Sequence, residues 1–169
     1  MKTPLTEAEK IEILQEHIPY KLTQLRHHHY YKELYRDKFL AHNRDIYRKH
    51  EICAIEIAFV SGRLFLEFLG IGYDSKKNQI IERRPNQIKD DDLFIMDFMC
   101  EPVKLSSLSI EECNTLSTFY NRANKGSGHF TWQKREIDGW ESVDNGTVII
   151  ESLLKAHLYD KLNMQMKEK

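Results

Sequence analysis

Arg36 and His42 lie six positions apart in the segment Tyr35-Arg36-Asp37-Lys38-Phe39-Leu40-Ala41-His42-Asn43-Arg44-Asp45. Together they carry the two functions that metal-free chemistry on a phosphodiester requires. One group must move a proton, and one cation must hold the phosphate and offset the charge that develops in the transition state. Histidine suits the first because its pKa lies near neutrality. Arginine suits the second because its planar fork binds phosphate oxygens in pairs. Asp37 and Asn43 flank the pair as orienting groups.

On an uninterrupted helix, a spacing of six turns the two side chains roughly 120° apart and separates them by about 9 Å along the axis. They converge only at a helix break or around a cleft shared with a second subunit. Asn43 and Asp45 are both capping types, and either could open a new helix at Ile46, which puts a break near His42. The ordinary alternative is a surface ion pair for Arg36 and a helix-end position for His42.

A second pair, Arg122 and His129, sits in Asn121-Arg122-Ala123-Asn124-Lys125-Gly126-Ser127-Gly128-His129. It reads either as a glycine stop after a helix or as a backbone loop that admits a phosphate near His129. The run His27-His28-His29 builds no metal site by itself, because consecutive helical side chains point roughly 100° apart. No HxxxH or HxxH pair occurs in the chain, so a metal site would need ligands from distant segments. No metal and no cofactor are therefore expected.

Arg36-Asp37-Lys38-Phe39-Leu40-Ala41-His42-Asn43 resembles the signature of HEPN domains, in which an arginine and an adjacent polar residue precede a histidine at this spacing. It is especially similar to the Arg-Asp-Lys-x-x-Ala-His form of abortive-infection-type members. The resemblance is confined to these eight residues and the helical character. Arg122 and His129 also fall within the looser form of the spacing. The resemblance implies an α-helical bundle that dimerises and sets two motifs together, with metal-independent RNase activity in a toxin or phage-defence setting. Arg36 would hold the scissile phosphate, His42 would move the proton, and Asp37 and Asn43 would orient them. Lys38, Arg44 and Arg48 would engage flanking phosphates, and an antitoxin protein is an implied partner. Other members of the family bind nucleic acid or proteins without cleaving. A non-catalytic dimeric RNA-binding or protein-interaction module is thus the alternative.

The elements that must position these residues are mostly helical. Thr6-Glu7-Ala8-Glu9 has capping-box form, and the helix it opens runs through Ile11, Leu14 and Ile18 to Pro19, where it kinks or restarts. Residues 46–69 form the strongest element. Ile52, Ile55, Phe59, Leu66 and Leu69 make one apolar stripe, while Ala58, Val60, Leu64 and Phe68 make a second, which predicts a central helix packed by several neighbours. Gly62 allows one neighbour to approach closely. Residues 73–107 read as an irregular insertion, within which Asp92-Leu93-Phe94-Ile95-Met96-Asp97-Phe98-Met99 is a short strand or a helical turn. Ser109-Ile110-Glu111-Glu112 is a second capping box, and Gly126 and Gly128 are stop signals for the helix it opens. Residues 129–137 read as extended, Asp144-Asn145-Gly146 as a turn, and residues 148–162 as a last amphipathic helix. The expectation is one all-α domain over residues 1–169, an up-and-down bundle of four or five helices.

Composition bounds the rest. Of 169 residues, 41% are hydrophobic and 30% charged, as in soluble globular proteins, and the formal charge of −1 gives no global pull towards nucleic acid. That balance hides a division. Residues 21–50 hold eight Lys or Arg against three acids, whereas residues 88–116 hold seven acids against two lysines. Tyr20, Tyr30, Tyr31, Tyr35 and Tyr47 interleave the basic stretch, which reads either as a surface for RNA or as a charged helix face neutralised by the acidic segment or a second copy. Cys53, Cys100 and Cys113 are an odd count without metal spacing, and read as thiols. Glu56, Arg63 and Glu67 interrupt the most apolar stretch, and the start of the chain lacks a signal-type apolar run, so a cytoplasmic protein without a membrane span is expected.

Overall fold

The computed structural model describes residues 3–40, 44–84, 88–89, 91–127 and 139–167, with side chains at these positions except 34–40, 44–45, 47–48, 125–127 and 139–140. The fold is mostly helical, with one two-stranded sheet. The helices are α1 (Glu7–Glu12), α2 (Ile18–Leu40), α3 (Arg44–Phe68), α4 (Ile110–Ser127) and α5 (Gly139–Leu154). Strands β1 (Ile71–Asp74) and β2 (Gln79–Glu82) lie between α3 and α4.

Both capping boxes form as the sequence expects. Thr6 Oγ1 accepts from the Glu9 amide while Glu9 accepts from the Thr6 amide, and Ser109 and Glu112 repeat the exchange. Each satisfies two amides that the first helical turn leaves open.

Pro19 neither breaks the helix nor passes unnoticed. The five residues Ile13–His17 widen into a π-helical turn, and the Ile18 amide donates to Ile13 O. Leu14 O thereby loses its usual α-helical donor, Ile18, and the π-helical substitute would be Pro19, which has no N–H. Tyr159 fills the gap, donating its hydroxyl to Leu14 O at 2.9 Å from 145 positions away. Both side chains are buried, and burial pushes the Tyr159 hydroxyl pKa up to about 12, which keeps it a donor.

Helices α2 and α3 are antiparallel neighbours. Gln24 meets Ser61 and Tyr31 stacks at 6.1 Å from His50, so residue numbers rise along one helix as they fall along the other. Helix α3 also packs on α4 and α5. Phe119 of α4 is fully buried at that junction, wedged between two glycines. A Cβ on Gly62 of α3 would lie 2.3 Å from its ring, and one on Gly146 of α5 would lie 2.2 Å from it. The close approach expected at Gly62 is therefore present.

Three expectations are corrected. Asp144-Asn145-Gly146 is not a turn but lies inside α5, where the packing of Gly146 against Phe119 outweighs its poor helix propensity. Residues 73–107 are not wholly irregular, because β1 and β2 pair antiparallel with Ile71 opposite Glu82. The turn between them forms at Ser75–Asn78, where Asp74 Oδ1 accepts from the Lys76 and Lys77 amides. Residues Ile95–Phe98 make a 3₁₀ turn, which decides between the two readings of that run. Finally, α3 is not apolar-buried all round. Ala58, Phe59, Leu66 and Phe68 face the core, as does Leu69 just past the helix, whereas Ile52, Ile57, Val60 and Leu64 are exposed. Gly126 lies within α4, which is described as far as Ser127, and the second stop signal, Gly128, lies outside the described residues.

Two substitutions test this packing. Gly146→Ala should cost about 1–3 kcal/mol, because Phe119 cannot retreat towards Gly62. Tyr159→Phe should cost about 1–3 kcal/mol by leaving Leu14 O buried and unpaired. For a chain of this size each kcal/mol should lower Tm by roughly 2–4 °C, read by thermal denaturation followed by circular dichroism.

Candidate functional site

Arg36, Asp37 and Lys38 fall in the last turns of α2, and Arg44 and Arg48 in the first turns of α3. Because the two helices run antiparallel, these five positions gather at one end of the α2–α3 hairpin. His42 and Asn43 belong to the connection at 41–43 and lie outside the described residues, as does His129 of the second pair. Helix α3 already includes Arg44, ahead of the start expected at Ile46. Arg122, the other half of the second pair, lies on α4 and is half-buried.

Between the hairpin end and the core, α2 is fastened to α5 by polar contacts. Arg26 and Glu151 make a two-pronged ion pair, with Nη2 donating to Oε2 at 2.8 Å and Nε donating to Oε1. Nearby, Asp144 Oδ1 lies 2.9 Å from His28 Nε2 and 3.4 Å from His29 Nε2, while Lys32 Nζ lies 3.7 Å from Oδ2. His28 is fully buried, and its Nδ1 is 2.9 Å from Leu25 O. Burial holds the His28 pKa down at about 4, helped by the neighbouring His29, while Asp144 pulls it partly back.

The three histidines do not converge, as the helical turn per residue requires, but two of them meet a carboxylate from a distant segment. His27 is exposed, as a 100° turn per residue requires, but His28 and His29 sit with ring centroids 4.2 Å apart and reach one carboxylate. Asp144 is the residue that sequence reasoning missed. It lies 116 positions from His28 within a triplet that reads locally as a turn, so no local signal linked the two.

The basic stretch has partners in part. Arg26 and Lys32 pair with acids of α5, while within the acidic segment Asp92 pairs with Arg83 and Lys104 pairs with Glu82. Tyr20 and Tyr30 are exposed, whereas Tyr31 is buried beside Ala54 and has no face free for a base.

A line of exposed residues runs along α3 at Ile46, His50, Cys53, Ile57, Val60 and Leu64. The alternating steps of four and three are those of a coiled-coil seam. Tyr20 of α2 lies one turn before Gln24, which meets Ser61, and so borders the same line. Cys53, Cys100 and Cys113 are free thiols. Among the described residues no helix is long and apolar enough to cross a membrane.

Comparison with protein-family models, curated proteins and solved structures returns no match.

The α2–α5 fastening gives a contrast between two arginines. Arg26→Met leaves the half-buried Glu151 carboxylate without its bidentate partner and should cost about 1–3 kcal/mol. Arg63→Met removes a more exposed pair with Glu67, whose carboxylate keeps its bond from the Tyr120 hydroxyl, and should cost less than about 1 kcal/mol. Urea denaturation of the two variants measures the difference.

Proposed function

We propose that the chain is a HEPN-like RNase whose chemistry is carried by Arg36 and His42, within a helical domain of up-and-down bundle type. The observation that carries the reading is the α2–α3 hairpin. Arg36 lies in the last turns of α2 and Arg44 in the first turn of α3, and because the two helices run antiparallel both arginines stand at the same end of the hairpin. The obstacle posed by a straight helix, roughly 120° between the two side chains, holds only where one unbroken helix carries both residues, and α2 and α3 are separate helices.

The reaction is internal transesterification. His42 takes the proton from an RNA 2′-hydroxyl, and the 2′-oxygen attacks the adjacent phosphorus. The bond to the 5′-oxygen breaks, the leaving oxygen takes up a proton, and a 2′,3′-cyclic phosphate remains. Arg36 neutralises the charge that grows on the phosphate oxygens. Asp37 and Asn43 orient the pair, and Lys38, Arg44 and Arg48 bind flanking phosphates. The balance of atoms requires no metal or cofactor.

A two-fold homodimer completes the proposal. The exposed seam on α3, with Ile57, Val60 and Leu64 at its apolar end, fits a second copy of itself. It leads along α3 towards the end that carries Arg44. The same seam favours a second reading, a non-catalytic dimeric module that binds RNA or a protein partner such as an antitoxin. Setting either function in the cytoplasm, as part of a toxin or phage-defence system, belongs to the proposal.

Purified protein incubated with RNA tests the assignment. Wild type should cleave in the presence of EDTA, and His42→Ala should lose roughly 10²–10⁴ in rate while RNA binding is retained. Arg36→Ala should weaken both steps, and Lys38→Ala should weaken binding modestly with a shallower salt dependence. Equal cleavage by wild type and His42→Ala would refute the catalytic reading. Loss in His129→Ala with survival in His42→Ala would move the site to the second pair. RNA retention without any cleavage would establish the module instead.

Assembly is tested separately. Light scattering should give twice the mass of 20.1 kDa, and Val60→Lys should shift the species to monomer. A monomeric wild type at micromolar concentration would remove the shared cleft.

A further inference from the structure

We propose that His28 Nε2, His29 Nε2 and Asp144 Oδ1 form a binding site for one divalent transition cation of the zinc type, which ties α5 to α2. Among the described residues these three side chains form a group whose ligand atoms all lie within 4.8 Å of one another. Zinc holds nitrogen and oxygen donors at about 2.0–2.1 Å in a tetrahedron, which sets neighbouring donors roughly 3.3 Å apart. The separations from Asp144 Oδ1, 2.9 Å and 3.4 Å, bracket that value, while the two histidine nitrogens, within 4.8 Å of each other, close to it by a swing of the part-exposed His29 ring.

The hydrogen-bond accounting of His28 points the same way. A neutral imidazole has one N–H and one lone pair. Here Nδ1 faces a carbonyl oxygen and Nε2 faces a carboxylate oxygen, each at 2.9 Å, and both oxygens act as acceptors. Whichever nitrogen carries the hydrogen, the other directs a lone pair at an oxygen. An added cation resolves the conflict, either a proton shared between Nε2 and Asp144 or a metal ion on Nε2. A metal on Nε2 leaves Nδ1–H donating to Leu25 O. That is the backbone contact by which metal-ligating histidines are commonly oriented.

The donor chemistry narrows the ion. Two imidazoles and one carboxylate suit zinc and its transition-metal neighbours, whereas calcium and magnesium favour oxygen throughout. Lys32 approaches Oδ2 and leaves Oδ1 as the ligating oxygen. His29 and Lys32 are both part-exposed, at 40% and 41%, so the fourth position opens towards solvent and takes water. His29, Lys32 and Arg36 recur on one face of α2 at steps of three and four. The site therefore lies two turns from Arg36 along α2.

The test uses the full chain, stripped of metal by chelator and dialysed. ZnCl₂ is titrated by calorimetry, and CoCl₂ is followed by visible absorption. Wild type should bind one equivalent of zinc at about 10 μM or tighter, gain thermal stability from it, and give the intense cobalt bands of a four- or five-coordinate site. His29→Ala and Asp144→Ala, whose side chains are part-exposed, should weaken binding by at least about a hundredfold. His27→Ala, which changes an exposed neighbour in the same run, should bind as wild type does, and MgCl₂ should produce no signal. Circular dichroism establishes that each variant is folded, and none of these readouts depends on RNA cleavage. The absence of zinc binding by wild type would overturn the site. So would binding that survives His29→Ala, or equal loss in His27→Ala.

Discussion

The interior depends on the Phe119 ring meeting two backbones where side chains would ordinarily stand. Gly62 and Gly146 let α3 and α5 close on opposite parts of that ring, and each position would collide with it if it carried even a methyl group. Removing a buried phenylalanine typically costs 3–5 kcal/mol. Here the loss would also open both interfaces at once. Through this contact α5 acquires the placement that lets Asp144 and Glu151 reach α2. The polar contacts of the candidate site thus rest on an apolar fit made on another side of α5.

That dependence explains a division in what the sequence disclosed. Features whose partners lie within one turn were legible, namely the capping boxes at Thr6 and Ser109. Gly62 was legible as a close approach because a glycine within an apolar helix face marks a place where a neighbour can come near. Gly146 was not, since Asp-Asn-Gly has strong turn chemistry, and only the distant Phe119 overrides it. The strands were missed for a related reason. Four residues each give too short a run for alternation to show.

The candidate site shows the same limit more sharply. The spacing of Arg36 and His42 was visible in the sequence, and so was the need for a break between them. The clustering of His28 and His29 on Asp144 was invisible, because the carboxylate arrives from another helix. On α3 the sequence disclosed a broad apolar circumference but not which part of it the protein itself covers. Ala54, Ala58 and Phe59 face inward, whereas Ile57, Val60 and Leu64 do not. Periodicity reports that a face is apolar, and only the packed neighbours say whether it is already in use.

The bond from Tyr159 to Leu14 O has a kinetic meaning. It joins residues 145 positions apart, so it closes a loop spanning most of the described chain. Contacts of such sequence separation require most of the chain to be ordered before they can form. The π-helical turn before Pro19 therefore carries an unanswered carbonyl until the C-terminal segment docks. Once docked, the two chain ends share one latch, and opening either end releases the other. Backbone amides around Ile13–His17 and Lys155–Tyr159 should then exchange with solvent as one cooperative unit, although they lie far apart in the sequence.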